Sequence, residues 1–555
     1  MEKTLIIGGI AGGATTAARL RRRNENMEII IFEKGDYISY ANCGLPYYIG
    51  DIIKNRDALL LQTPQAMKNK FNIDVRVASE VIKILPKENK IIVKDLKTKE
   101  EYKESYDNLV IATGSSPIKP PIKGIENENI FVLWTVNDTD NIKKYIYEKK
   151  PKSVSIIGGG FIGLEMAENL HKLGLDVSLI EMQDQVMAPV DKEMANLIHE
   201  NMVNNNINLI LGDGVKEFHN KNGKTEIELN SGKNILTDMV ILSIGIKPNS
   251  QIAADANIEL NERKGIVVNE YLQTSVKNIY AVGDVIGVEN YVTKQKTMIP
   301  LAGPANKQAR ILADNICGDN KKYNGSLGTS IAKVFDLDVA SVGINEKQLK
   351  NIGKIKGKDY FTAIINQKSH AGYYPNAKQI TLKIIFDKNG KIYGGQIIGE
   401  EGVDKRIDTL ATTIKLNGTI YDLEELELAY APPFSSAKDP INMLGFVAEN
   451  IIRGFVKFIE WNELDEIIDN NKSDYIILDV TEDFEREAFS IPNSYHIPLG
   501  QLHKRLNELD KNKTIIPYCA IGVRSYNAAR ILMQNGFENV YVLSGGTSFY
   551  KSMHY

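Results

Sequence analysis

The chain of 555 residues has few cysteines, no long apolar run and no excess of either charge. Its three cysteines, Cys43, Cys317 and Cys519, are too few for a disulfide-stabilised scaffold and indicate a reducing compartment. No stretch approaches the ~18 consecutive apolar residues of a membrane helix. A formal net charge of -3 argues against nucleic acid or a membrane surface as partner.

The N-terminus has the small apolar residues of a signal peptide without its other features. Four glycines (Gly8, Gly9, Gly12, Gly13) interrupt the run, and arginines follow it without a cleavage pattern. We therefore expect a cytoplasmic protein.

Two segments repeat one pattern. TLIIGGIAGGATTAARL leads to IIIFEKG, and SVSIIGGGFIGLEMAENL leads to VSLIEM. Each is an apolar strand, a glycine cluster, a helix and a second strand ending in Glu, which predicts two nucleotide-binding βαβ units.

The predicted fold class is therefore α/β, with two Rossmann-like domains followed by two further domains. Strand-like segments in 330–400 and a helix around 403–416 predict an α+β domain. Short buried strands alternate with helices after about 450, which predicts a small α/β domain. No Pro/Gly/Ser linker occurs near 445–460, so we expect this domain to lie close to the body of the protein. The predicted boundaries are 1–115 with 248–318, 116–247, 319–448 and 449–555.

The first glycine cluster departs from the strict G-x-G-x-x-G pattern. Gly8, Gly12 and Gly13 are present, but Ile10 takes the middle position, and Glu33 ends the next strand. Such a loop brings backbone N–H groups to a pyrophosphate at a helix N-terminus. A plain strand–helix turn is the alternative. Two strands ending in Thr113-Gly114 and Gly283-Asp284 favour the nucleotide site.

The second cluster fits the pattern fully. Gly158, Gly160 and Gly163 lie between a strand and a helix, and Glu181 ends the following strand. A carboxylate there accepts hydrogen bonds from a free ribose 2′-OH and repels a 2′-phosphate. No Arg or Lys follows within 182–186, so NADH is favoured, with NADPH possible.

These four motifs, in this order, resemble the flavin-dependent pyridine nucleotide–disulfide oxidoreductases. The resemblance implies that the first site binds FAD, with Asp284 holding the ribitol, and that the second binds NADH or NADPH.

Cys43 lies in SYANCGLPYYIGD, where Tyr48 takes the position of the second cysteine of classical disulfide reductases. A helix N-terminus at Cys43, with Ser39 and Asn42 as donors, would favour a thiolate. A buried structural cysteine is the alternative. The segment resembles single-cysteine coenzyme A-disulfide reductases, NADH oxidases and NADH peroxidases. Ala11 stands where the oxidases and peroxidases carry a His.

HAGYYP (370–375) and AYAPPFSSAKDP (429–440) resemble coenzyme A-disulfide reductases specifically. In that family a tyrosine pair, partly from the other subunit of a homodimer, supplies acid–base chemistry. Tyr430 matches one member, while Tyr373 and Tyr374 compete for the other. The resemblance implies a set of residues around the coenzyme A tail: Thr15, Arg19, Arg22, Ser39, Asn42, Asn306, Arg310 and Lys438. Phe71 stands where the family often has Lys.

The segment YCAIGVRS places Cys519 and Arg524 in a C-x4-R loop after a buried strand. Inward N–H groups of such a loop would hold a thiolate or persulfide. It resembles the rhodanese loop, with Gly522 in place. A catalytically silent rhodanese fold is the alternative. Cys317, in an apolar helical stretch, is predicted to be structural.

The resemblance covers the whole chain and implies a coenzyme A-disulfide reductase fused to a rhodanese domain. The boundaries above then delimit FAD, NAD(P)H, dimerisation and rhodanese domains. We expect NADH-dependent reduction of coenzyme A disulfide, persulfide or polysulfide through FAD and Cys43, without a metal. The alternatives are an NADH oxidase or peroxidase, and a sulfur carrier or redox sensor with incidental NADH turnover.

Overall fold

Helices alternate with short strands along most of this computed structural model, which describes residues 2–470 and 472–554. Short 3-10 helices span Asn42–Gly44, Arg56–Leu59, Pro86–Glu88, Leu499–Gln501 and Leu506–Glu508. The α-helices are α1 (Ala11–Arg23), α2 (Leu45–Ile49), α3 (Pro64–Phe71), α4 (Val136–Lys149), α5 (Phe161–Lys172), α6 (Lys192–Asn204), α7 (Gln251–Asp255), α8 (Ala302–Ile316), α9 (Glu346–Asn351), α10 (Val403–Lys415), α11 (Ile420–Glu425), α12 (Pro440–Ile452), α13 (Trp461–Asp469), α14 (Asp483–Ala488), α15 (Leu502–Arg505), α16 (Val523–Gln534) and α17 (Gly546–Lys551).

The strands are mostly short and rich in β-branched residues, as buried strands of layered folds are. They are β1 (Lys3–Ile7), β2 (Glu28–Phe32), β3 (Asp74–Arg76), β4 (Ser79–Leu85), β5 (Lys90–Asp95), β6 (Glu101–Ser105), β7 (Asn108–Ile111), β8 (Ser115–Pro117), β9 (Ile130–Val132), β10 (Ser153–Ile157), β11 (Asp176–Glu181), β12 (Asn208–Leu211), β13 (Val215–Lys221), β14 (Lys224–Leu229), β15 (Asn234–Thr237), β16 (Met239–Leu242), β17 (Ile246–Pro248), β18 (Ile279–Ala281), β19 (Val288–Glu289), β20 (Lys296–Thr297), β21 (Ser330–Val334), β22 (Leu337–Gly343), β23 (Phe361–Lys368), β24 (Gln379–Phe386), β25 (Ile392–Gly399), β26 (Phe458–Ile459), β27 (Tyr475–Asp479), β28 (Tyr495–His496), β29 (Thr514–Tyr518) and β30 (Val542–Leu543).

Two five-stranded parallel sheets share four strands in equivalent order, β7-β1-β2-β3 and β16-β10-β11-β12, and differ in the fifth. The first has the order β18-β7-β1-β2-β3 and the second the order β12-β11-β10-β16-β9. In each, the strand before the glycine cluster lies beside the strand that ends in Glu. The twin βαβ units predicted from the sequence are confirmed.

The chain crosses between these two sheets at a small ladder. Strand β8 pairs antiparallel with β17, so the outgoing and returning segments run side by side. The ladder coincides with the predicted boundaries at 115/116 and 247/248.

The chain divides into two compact units, and helix α6 clusters with the C-terminal one. The first unit comprises residues up to 186 and 206–328, and the second comprises 187–205 and 329 onward. Helix α6 is thus part of the second unit, although the sequence placed it within 116–247. The cause is a buried ion cluster: the Lys383 ammonium on β24 contacts Asp191 (2.7 Å), Glu346 (2.6 Å) and Glu193.

The second unit contains an antiparallel sheet in the order β21-β22-β25-β24-β23, with α10 and α12 packed against it. This is the predicted α+β domain. The C-terminal domain has parallel pairs β27–β28, β27–β29 and β26–β30. An ion pair of Lys356 with Glu460 (2.9 Å) joins the two domains.

Across residues 2–470 and 472–554, no helix combines the length and apolarity needed to cross a membrane.

Candidate functional site

The first glycine loop joins β1 to α1 with the close packing that a dinucleotide loop needs. A Cβ at Gly8 (φ +102°) would lie 2.3 Å from the Ala112 carbonyl oxygen, and one at Gly13 only 1.8 Å from the Gly8 carbonyl oxygen. Helix α1 has neither a side-chain cap nor an acidic residue in its first turn. Its N–H groups are therefore suited to a pyrophosphate. The irregular Ile10 does not alter this arrangement.

Glu33 links the end of β2 to this loop. Its Oε2 accepts a hydrogen bond from the Gly9 N–H (2.8 Å), and its Oε1 accepts one from the Gly35 N–H (2.7 Å). The carboxylate is fixed where a ribose hydroxyl can donate to its remaining lone pairs.

The two later flavin motifs also lie at strand ends of this sheet. The Thr113 hydroxyl donates to the Asn249 carbonyl oxygen (2.7 Å), and Gly114 has a positive φ. The Gly283 N–H donates to Gln308 Oε1 (2.8 Å). Burial raises the pKa of Asp284, which accepts a hydrogen bond from Ser115 (3.0 Å). A buried carboxyl with spare acceptor sites fits a polyhydroxyl chain such as ribitol.

The second glycine loop repeats the design before α5. A Cβ at Gly163 would lie 2.0 Å from the Gly158 carbonyl oxygen, whereas one at Gly160 would meet nothing within 4 Å. Helix α5 also begins without a side-chain cap or an acidic first turn. Glu181 accepts from the Gly159 N–H (2.7 Å) and the Gln183 N–H (2.8 Å), just as Glu33 does in the first loop. Both loops thus fit a dinucleotide.

Cys43 is exposed and lies in the short 3-10 helix directly before α2. Asn42 is predicted to donate a hydrogen bond to the thiol but acts as an acceptor. Its Oδ1 accepts a hydrogen bond from the Cys43 N–H (3.2 Å) and lies 3.9 Å from the Cys43 Sγ. The backbone of Ser39 bonds to Gly9 and Leu61. The Asn42 side chain thus acts as an acceptor at Cys43, and the donor role of Ser39 stays a prediction.

The surroundings raise the pKa of the Cys43 thiol instead of lowering it as the sequence suggested. Desolvation is the largest cause, and the Glu165 and Asp284 charges add to it. Tyr48, at the position of the missing second cysteine, lies against the Lys143 ammonium (4.2 Å to the ring centroid). A thiolate at Cys43 therefore needs stabilisation from outside the apoprotein.

The structure distinguishes between the two adjacent tyrosines. The Tyr373 and Tyr430 hydroxyls are 3.0 Å apart, and their hydrogen bond raises the pKa of Tyr373. Tyr374 instead packs edge-on against His370, with ring centroids 5.5 Å apart. Tyr373 and Tyr430 are 76% and 48% exposed, so the pair presents its hydroxyls at the surface of the second unit.

Some of the residues expected around a coenzyme A tail contact one another, and others are paired elsewhere. The Thr15 hydroxyl donates to Asn306 Oδ1 (2.6 Å), so these two meet between α1 and α8. Arg19 and Arg22, expected to act together, have different partners: Arg19 pairs with Asp314 (2.7 Å), and Arg22 lies over the Phe71 ring (5.2 Å).

Two further members of that set, Arg310 and Lys438, are exposed. Phe71, which replaces a family lysine, thus provides an aromatic surface beneath Arg22.

Cys519 is fully buried at the end of β29, before α16. Its Sγ accepts hydrogen bonds from the Gly522 N–H (3.2 Å) and the Ser525 N–H (3.4 Å). Gly522 has φ +98°, which turns the loop so that these N–H groups face the sulfur. Two of the inward N–H groups predicted for this loop therefore bond to the sulfur.

Residues 2–309 match the pyridine nucleotide-disulphide oxidoreductase family, residues 329–440 its dimerisation domain, and residues 460–553 the rhodanese-like domain. The chain belongs to the pyridine nucleotide-disulphide oxidoreductase family. It is an oxidoreductase of the FAD- and NAD(H)-dependent type, which confirms the predicted fold class and enzyme class.

Similar proteins cover most or all of this oxidoreductase. A coenzyme A disulfide reductase of Staphylococcus epidermidis is 37% identical over 451 residues, 81% of this chain and 100% of that protein. The crystal structure of reduced Bacillus anthracis CoADR-RHD has TM-score 0.95 and 50% identity, and covers 99% of this chain and 98% of that one. A NAD-dependent persulfide reductase from A. fulgidus has TM-score 0.92 and 37% identity, and covers 99% of both chains.

Two acidic residues near the sulfur sites of this oxidoreductase were not singled out from the sequence. Tyr47 donates to Glu165 (3.3 Å), and burial raises the pKa of Glu165 to about 7, with the Glu168 charge adding to the rise. Arg524 forms a two-pronged ion pair with Glu485 (2.5 and 2.6 Å). Glu165 follows the Gly163 loop within α5, a position that could have pointed to it. Glu485 lies on α14, far from Arg524 in sequence.

Proposed function

We propose that this oxidoreductase uses NADH and FAD to reduce the sulfur–sulfur bond of coenzyme A disulfide, coenzyme A persulfide or polysulfide at Cys43. The observation that carries the proposal is a single exposed cysteine with Tyr48 in place of its internal partner. Without that partner, the substrate must provide the second sulfur. The similarity to a coenzyme A disulfide reductase of Staphylococcus epidermidis and to a persulfide reductase from A. fulgidus supports this substrate class.

The chemistry at Cys43 balances as one thiol exchange and one two-electron reduction. The Cys43 thiolate attacks coenzyme A disulfide, the substrate S–S bond breaks, and a Cys43–S–S–coenzyme A bond forms while one thiolate leaves. When bound, NADH and FAD supply the electron pair. Two-electron reduction of the mixed disulfide releases the second coenzyme A thiolate and restores Cys43. One proton from solution balances the reaction of NADH with disulfide to give two thiols.

The departing thiolates need a proton donor, and Tyr373 with Tyr430 is our candidate. The pair lies at the surface of the second unit, as is suitable for hydroxyls that reach Cys43 of another subunit. The match to a dimerisation domain supports a homodimer. The coenzyme A tail would be held by Thr15, Asn306 and Arg22, with Arg310 and Lys438 as further candidates.

The C-terminal domain would accept sulfane sulfur at Cys519. A buried thiol that receives two backbone N–H groups is suited to a persulfide anion. We further propose that the chain is organised as an FAD domain (1–115 with 248–318), an NAD(P)H domain (116–247), a dimerisation domain (319–448) and a rhodanese domain (449–555).

The test is Cys43→Ser, with Cys317→Ser as matched control at the C-terminus of α8. Cys43→Ser should retain FAD and its reduction by NADH but lose NADH-dependent reduction of coenzyme A disulfide under anaerobic conditions. Cys317→Ser should keep both activities. Retained disulfide reduction by Cys43→Ser would overturn the assignment, and anaerobic turnover by the unsubstituted chain separates it from an oxidase.

A further inference from the structure

A buried side chain of the dimerisation sheet reaches the backbone of the C-terminal domain. The Asn366 Nδ2 on β23 donates to the Gly545 carbonyl oxygen at 2.6 Å, and Asn366 is only 1% exposed. Its Oδ1 accepts a hydrogen bond from the Thr381 hydroxyl (2.7 Å), directly opposite on β24. Both polar ends of the amide are therefore paired, which fixes the orientation of Nδ2.

Gly545 directly precedes α17, whose first turn is hydrogen-bonded to the Cys519 loop. Just beyond it, the Thr547 N–H donates to the Cys519 carbonyl oxygen (2.9 Å), and the Ser548 N–H donates to the Ala520 carbonyl oxygen (2.9 Å). A Cβ at Gly546 would lie 2.6 Å from both of those carbonyl oxygens. The first turn of α17 and the Cys519 loop are therefore packed backbone to backbone.

Two glycines with positive φ form the turn that leads from β30 into α17. Gly545 and Gly546 have φ values of +71° and +67°, and glycine leaves these torsions soft because it has no Cβ. A hydrogen bond from outside the loop fixes the orientation of the Gly545 carbonyl. The Asn366 amide supplies that bond.

We propose that Asn366 is a positioning residue for sulfur chemistry at Cys519. From the dimerisation sheet, Asn366 holds the Gly545-Gly546 turn, and the backbone after that turn holds the Cys519 and Ala520 carbonyls. The Cys519 loop thereby keeps the Gly522 and Ser525 N–H groups directed at the Cys519 sulfur. This inference rests on the sulfur-transfer role proposed for Cys519.

The same hairpin takes part in both sulfur sites. The loop between β23 and β24 carries Tyr373, the candidate acid of the reductase reaction, while Asn366 lies on the strand leading to that loop. The fused C-terminal domain is thus braced by the hairpin that also presents Tyr373.

Three variants of the full-length holoenzyme test the brace. Asn366→Ala removes the donor, Thr381→Val removes the hydroxyl that orients it at nearly constant shape, and Thr381→Ser keeps that hydroxyl as the conservative control. Sulfur transfer is measured from thiosulfate to cyanide. The Cys519 thiolate takes the sulfane sulfur as sulfite leaves, and cyanide then takes that sulfur as thiocyanate, with no net electron transfer.

Asn366→Ala should lower the kcat of sulfur transfer about tenfold, in line with the loss of one buried hydrogen bond, and leave the KM for thiosulfate within about twofold. Thr381→Val should show a smaller fall in kcat, and Thr381→Ser should match the unsubstituted enzyme. NADH-dependent reduction of coenzyme A disulfide should be unchanged in all three, because no part of it uses Cys519.

A kcat for Asn366→Ala within twofold of the unsubstituted enzyme, or a change in KM alone, overturns the proposal. If Asn366→Ala does not fold, the comparison of Thr381→Val with Thr381→Ser decides the proposal by the same criterion, the kcat of sulfur transfer. If the unsubstituted enzyme transfers no sulfur, the proposed role of Cys519 has failed by itself. Hydrogen exchange of the 544–550 amides then decides the brace: faster exchange in Asn366→Ala supports it, and equal exchange overturns it.

Discussion

Tyr430→Phe removes one hydroxyl from the Tyr373–Tyr430 pair and leaves the ring in place. If the pair protonates the departing coenzyme A thiolate, the loss is that of a general acid, worth roughly 10²–10⁴ in rate. That corresponds to about 3–5 kcal/mol of barrier. Both side chains are well exposed in the described chain, so water can replace part of the donor, and we expect a value near 10².

The hydrogen bond between the hydroxyls adds a second expectation. At 3.0 Å the two act as one proton-donating unit, so Tyr373→Phe should cost a similar amount. The double variant should cost little more than either single variant, since residues that act as a unit are non-additive.

The assay is anaerobic steady-state oxidation of NADH with coenzyme A disulfide, with kcat and KM reported separately. Tyr374→Phe is the matched control, because Tyr374 packs against His370 and should stay within about twofold of the unsubstituted enzyme. A rise in KM with kcat unchanged would make Tyr430 a binding residue. An equal loss in Tyr374→Phe would remove the case for a specific pair.

Three other perturbations address the dinucleotide, the buried carboxyl and the second cysteine. The kcat/KM for NADH should exceed that for NADPH at least tenfold, because the Glu181 carboxylate repels a 2′-phosphate. Glu181→Ala should reduce this ratio, and equal kcat/KM values in the unsubstituted enzyme would contradict the role of Glu181. The pKa of Glu165 is about 7 in the folded chain, above its ordinary 4.5, so the free energy of unfolding falls as pH rises from 4.5 through 7. Glu165→Gln should therefore raise the free energy of unfolding at pH 8 by up to about 3 kcal/mol, seen as a higher Tm, and should leave Tm unchanged at pH 5. An equal change of Tm at both pH values would refute this. Cys519→Ser should spare coenzyme A disulfide reduction and slow reduction of persulfide or polysulfide donors, and unaffected rates with all donors would end the sulfur-relay hypothesis.

Local sequence determined the parts of the molecule that depend on neighbouring residues. The two βαβ units follow from apolar strands, glycine clusters and helices that are contiguous in the chain, and their carboxylates, Glu33 and Glu181, reach their own loops. The Cys519 loop likewise closes within a few residues, because Gly522 turns its N–H groups onto the sulfur. Such features are fixed by short-range backbone geometry, so the motifs predicted them.

Tertiary packing decided everything that joins distant segments. No spacing could choose Tyr373 over Tyr374, because only the fold brings Tyr430 to one of them. The raised pKa values of Cys43 and Glu165 come chiefly from desolvation by the surrounding fold, which a linear motif does not contain. The sequence alone therefore determined the fold, the cofactor loops and the two sulfur residues. The tertiary structure decided how Cys43 is ionised, which tyrosine is paired and how Asn366 reaches Gly545, because burial and contact between remote residues exist only in the folded chain.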